Sequence, residues 1–164
     1  MFLNFTSGIE FYWDINKKRD ENFLPDEFSG IFCGELKFDL NLILDCEADR
    51  KGWIENVYPD YEDEYDRIYH NKLAFQRVDN GDLIAIELEP ENYGKVVYLS
   101  HDGSDNHGRY MGENFKEFLL NYTAIGCTGG EDWQWEDFCT EKGIDAQSDC
   151  AKKWREFWRY NDEK

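Results

Sequence analysis

His101, Asp102, Asp105 and His107 fall within one short polar stretch, SHDGSDNHG. All four side-chain types can ligate a divalent metal or move a proton near neutral pH. Their spacing supports neither role. It is not HExxH, and no cysteine lies close by to complete a zinc set. The stretch reads instead as a turn in which Asp and Asn side chains bond local backbone amides. Elsewhere GxxxxGK[ST], GxGxxG and GxSxG are absent. Carboxylates are so numerous that none stands out as one of the paired acids of a glycosidase. The sequence therefore assigns no catalytic residue, no metal ligand and no cofactor.

The charge carries more information. Asp and Glu number 36 against 18 Lys and Arg, a formal net charge of −18. Such a surface repels phosphate backbones and anionic lipid and attracts cationic partners. Direct nucleic-acid binding needs a basic footprint and is not expected. The acids concentrate at Glu55, Asp60, Glu62, Asp63, Glu64 and Asp66, with no Lys or Arg until Arg67. These six are the candidate contact residues for a basic protein. The plainer reading of the same residues is a solvated face that confers solubility.

The elements that must position these residues follow from periodicity. Residues 9–15 are rich in β-formers and read as a strand. Residues 16–22 are a charged loop. In 35–44, Leu36, Phe38, Leu40 and Leu42 alternate with polar residues, the pattern of a half-buried strand. Pro59 can open a short acidic helix, since Tyr61, Tyr65, Ile68 and Tyr69 share a helical face and the early acids suit the dipole. Strands are expected at 73–78, 83–88 and 96–99. Asn80-Gly81 joins the first two and predicts a type I′ hairpin, because both residues tolerate positive φ. An amphipathic helix is expected over 114–125, stopped by Gly126. Asp145 can cap a last helix over 146–160, whose Cys150, Trp154, Phe157 and Trp158 share one face.

The fold class is α+β: a largely antiparallel sheet with a β-meander core, covered by helices. A length of 164 residues with six Trp, ten Tyr and twelve Phe is expected to form one domain with a substantial core. The five cysteines form no CxxC pair and suit reduced thiols in a cytoplasmic protein. No stretch reaches the ~20 apolar residues of a membrane span. The first residues lack the basic and apolar regions of a signal peptide.

Four motifs in this order resemble the SUKH superfamily. They are the NGD turn at Asn80, Gly81 and Asp82, the VxYLSHD strand and loop at 97–102, and the helix carrying Phe115, Phe118 and Leu119. The fourth is a GCxGxExWxW tail at Gly126, Cys127, Gly129, Glu131, Trp133 and Trp135. The resemblance covers about 9–138. Members usually begin with a helix and an LP segment, and this chain starts almost at the first strand, so that leading helix is expected to be missing. The resemblance implies a binding protein rather than an enzyme: a bacterial immunity protein whose partner is a cognate toxin, often a nuclease. Fungal relatives suggest a regulatory scaffold as the alternative. A small metal-dependent hydrolase using His101 or His107 is the third reading.

Overall fold

In the computed structural model, residues 8–15 and 24–162 are described. The charged loop expected at 16–22 lies outside the described residues. Strand β1 (Gly8–Asp14) pairs antiparallel with β2 (Cys33–Asp39), with Trp13 opposite Gly34. A side chain at Gly34 would collide with the Trp13 indole, whose Nε1 donates to the Gly126 carbonyl at 2.5 Å. A glycine is therefore required where the ring crosses the ribbon.

In β2 the expected alternation holds for Leu36 and Phe38, which are buried. It does not extend to Leu40 and Leu42. The Asp39 carboxylate accepts from the Asn41 amide at 2.7 Å and turns the chain. Residues expected as strand then enter helix α1 (Ile43–Asn56). That helix escapes an apolar pattern because its inward stripe contains a charged pair. Arg50 is buried, bonds Glu47 through two nitrogens at 2.8 and 2.9 Å, and donates to the Tyr69 carbonyl at 2.6 Å. Glu47 also accepts from the Ala74 amide at 2.8 Å, which satisfies part of the next strand's outer edge.

The three strands expected as a meander form, and an unexpected fourth extends it. Strands β3 (Lys72–Arg77), β4 (Leu83–Glu87), β5 (Val96–Leu99) and β6 (Tyr110–Gly112) make a four-stranded antiparallel sheet in chain order. The connection from β3 to β4 differs from the expected type I′ turn. Positive φ falls on Gly81 (103°) and not on Asn80. The Gly81 amide donates to the Val78 carbonyl and the Val78 amide to the Asp82 carbonyl, both at 2.9 Å. This is a three-residue loop in which only the last position needs left-handed backbone.

Both faces of the meander are covered, which explains why β5 and residues 83–86 of β4 are apolar. Ile84, Val96 and Tyr98 face helix α2 (Phe115–Ala124), the Trp135 region and helix α3 (Asp149–Asp162). Leu83, Ala85, Val97 and Leu99 face Cys46, Tyr58 and Tyr69 on the other side. Asn114 caps α2 by accepting from the Glu117 amide at 3.0 Å. Helix α3 starts later than expected. The Asp145 carboxylate holds the Gln147 amide at 2.7 Å, and Ser148 Oγ caps by accepting from Ala151 at 3.1 Å. A short ribbon of β7 (Cys139–Thr140) and β8 (Gly143–Ile144) lies between them in sequence. It has too few residues to show a periodicity.

Candidate functional site

The six acidic candidates do not share a helix. Glu55 lies in the last turn of α1, and 59–65 is a series of turns leading to a single 3-10 turn at Asp66–Tyr69. The expected helix is replaced by side-chain capping. The Asp66 carboxylate accepts from the Asp60 amide at 3.0 Å, and Asp60 accepts from Glu62 at 3.0 Å. Asp63 accepts from the amides of Tyr65 at 2.8 Å and Asp66 at 3.1 Å. Short acids that bond nearby backbone compete with the helical ladder in this way. Asp60, Asp63 and Asp66 therefore shape the segment. The carboxylates of Glu55, Glu62 and Glu64 make no hydrogen bond or ion pair among the described residues, and all three are exposed.

Beneath this acidic surface the segment is anchored by aromatic and imidazole rings. Tyr58 stacks on Tyr69 with centroids 4.6 Å apart and donates to the His101 carbonyl at 2.5 Å. His70 Nε2 bonds the Tyr58 carbonyl at 3.2 Å. His107 accepts the Ser100 amide at Nδ1, 3.0 Å, and reaches the Tyr65 carbonyl through Nε2 at 3.2 Å. Burial holds the His107 imidazole below its usual range, which agrees with a neutral ring whose Nδ1 is an acceptor. Burial also pushes the Tyr65 phenol up to about 12. The surface is thus acidic outside and aromatic at its base.

The polar stretch 100–108 is divided by the fold. His101 and Asp102 come together with Asp82, and one ligand atom from each can lie within 4.8 Å of the others. His107 points to the acidic segment, while Asp105 is exposed. In sequence Asp82 is marked only as part of the NGD turn. Its buried carboxylate accepts from Asn80 Nδ2 at 2.7 Å, from the His101 amide at 2.7 Å and from the Tyr98 hydroxyl. His101 Nδ1 lies 2.6 Å from the same carboxylate. Four partners occupy a group with about four acceptor sites. A metal at Asp82 would displace part of a complete buried network, which makes the group a clamp between the β3–β4 loop and the loop after β5. The pairing was visible in the NGD and SHD triplets only as two separate turns.

The GCxGxExWxW tail also has a structural use. Gly126 (φ 79°) and Cys127 (φ 51°) leave α2 in left-handed backbone, and Thr128 bridges to Gly34. Trp135 is fully buried against Tyr98, centroids 5.1 Å apart. Trp133 remains half exposed. The five cysteines are unpaired, and burial pushes the thiols of Cys127 and Cys139 up to about 12, which disfavours thiolate chemistry there. No helix among the described residues is long and apolar enough to cross a membrane.

In comparisons with known proteins, the profile of the SMI1 / KNR4 family (SUKH-1) matches residues 4–121. The match takes in the acidic surface, the meander and most of α2, and stops before the GCxGxExWxW tail. No curated protein and no solved structure gives a significant match.

Proposed function

This chain belongs to the SMI1 / KNR4 family (SUKH-1), and from that premise we propose that it is an immunity protein that binds and neutralises a cognate toxin. The toxin is a basic domain of the nuclease type. Binding is non-enzymatic and takes place in the cytoplasm, the compartment that suits five unpaired thiols. The observation that carries the reading is the acidic surface: Glu55, Glu62 and Glu64 offer carboxylates with no partner among the described residues, on a segment whose backbone Asp60, Asp63 and Asp66 hold in place. A preformed charged surface speeds encounter with an opposite partner and loses little entropy on binding. A net charge of −18 extends the same attraction beyond the contact. Nucleic acid and membranes are not partners in this reading.

The test is co-expression with the toxin encoded beside the gene. Growth rescue and a co-purifying complex are expected. Reversing Glu55, Glu62 and Glu64 to Lys, which leaves the backbone-holding Asp60, Asp63 and Asp66 in place, should slow association by about tenfold at low salt and flatten its salt dependence. A stopped-flow on-rate unaffected by the reversal would reject the surface, and failure to rescue would reject the immunity role.

A further inference from the structure

Beside the acidic surface, and sharing Glu64 with it, runs a groove of about 580 Å³ between the Asp66–Tyr69 turn and the β4–β5 connection. Tyr61, Ile68, Tyr110 and Pro90 supply its apolar and aromatic lining. Tyr61 on its wall is 43% exposed. An exposed tyrosine beside a second, half-buried one in a depression is the composition of a protein contact rather than of a solvated face.

The groove is fixed before anything enters it. Asn71 stands in left-handed backbone (φ 51°), accepts the Leu88 amide on its carbonyl at 2.9 Å and donates its side-chain amide to Glu89 at 2.5 Å. Tyr61 donates to the same carboxylate at 3.1 Å. These two donors hold the Glu89 carboxyl below its usual range. At the floor, Lys72 and Glu87 pair at 2.9 Å with side chains only 5% and 6% exposed. Four carboxylates therefore line the groove, Glu64, Glu87, Glu89 and Glu91, against the cations Arg67 and Lys72. Lys72 is already matched by Glu87, which leaves Glu64, Glu89 and Glu91 against Arg67, a net negative lining. Glu64 and Glu91 make no hydrogen bond or ion pair among the described residues.

We propose that this groove is the anchor pocket for an arginine side chain of the bound protein, packed on Tyr61 and paired with Glu64 and Glu91. The proposal rests on the protein-binding reading above and adds the chemistry of the contact. A guanidinium fits better than an ammonium, because it is planar, stacks on an aromatic face and bonds a carboxylate through two nitrogens. The Tyr110 ring is less available, since Lys95 Nζ lies 4.5 Å from its centroid.

The test needs no toxin. The ¹⁵N-labelled full chain is titrated with N-acetyl-arginine methylamide, with the lysine analogue and with the neutral citrulline analogue. Saturable amide shifts confined to Tyr61, Ile68, Glu89 and Asn92 are expected with arginine, weaker shifts with lysine and none with citrulline. Glu91→Gln should weaken arginine binding by about threefold, the scale of one exposed charge pair. Tyr61→Leu should erase the preference for arginine over lysine without unfolding the chain. Absence of saturation, or equal shifts over the whole acidic surface, overturns the pocket. If titration succeeds and toxin rescue fails, the pocket stands and the immunity role falls.

Discussion

The ring of His107 stacks on that of Tyr65 with centroids 4.1 Å apart, and its Nε2 bonds the Tyr65 carbonyl at 3.2 Å. Through this pair the loop after β5 holds the acidic segment on the meander. Because Nδ1 accepts the Ser100 amide, the ring cannot take a second proton without losing that bond.

A pH dependence follows. Burial depresses the His107 pKa, so the folded state binds fewer protons than the unfolded state, whose imidazole titrates near 6.5. The contribution is present above about pH 6.5 and fades as pH falls below it. The melting temperature should drop between about pH 7.5 and about pH 5.5, and His107→Gln should drop by less over the same interval. Equal slopes for the two proteins would show that the imidazole does not carry the effect.

Asp82 is expected to be the most sensitive polar position. Asp82→Ala leaves the Tyr98 hydroxyl and the His101 amide without their acceptor in a buried setting. The cost should be about 3 kcal/mol in urea denaturation. A cost below about 1 kcal/mol would mean that the loops hold together without the clamp.

Lys72 and Glu87 should couple strongly. Lys72→Met alone strands a buried carboxylate and should destabilise by about 3–5 kcal/mol. Adding Glu87→Leu should restore much of that loss, since the pair then gives way to apolar contacts. Additive losses in the double-mutant cycle would count against a coupled buried pair.

The chain is expected to unfold as one unit. Trp53 belongs to the core on one face of the meander, and Trp135 and Trp154 to the core on the other. Fluorescence and far-UV circular dichroism should therefore report one coincident transition. Separated midpoints would show that the two faces melt independently.

Much of this was legible in the sequence because the responsible forces are local. The apolar runs at β4 and β5 and the amphipathic period over 114–125 identified the meander and α2. The motif spacing identified the family, and composition fixed the charge. Three features depended on polar groups whose partners periodicity does not show. Helix α1 was hidden because its inner face uses Glu47 and Arg50, whose partners Ala74 and Tyr69 lie beyond the helix. The acidic stretch reads as a helix by period, but Asp60, Asp63 and Asp66 bond the backbone and make turns of it. The histidines look like a cluster in sequence, yet His101 turns to Asp82 and His107 to Tyr65. Periodicity records which side chains avoid water. It does not record which buried polar groups will find one another, and that pairing was decided only when the two faces of the meander closed.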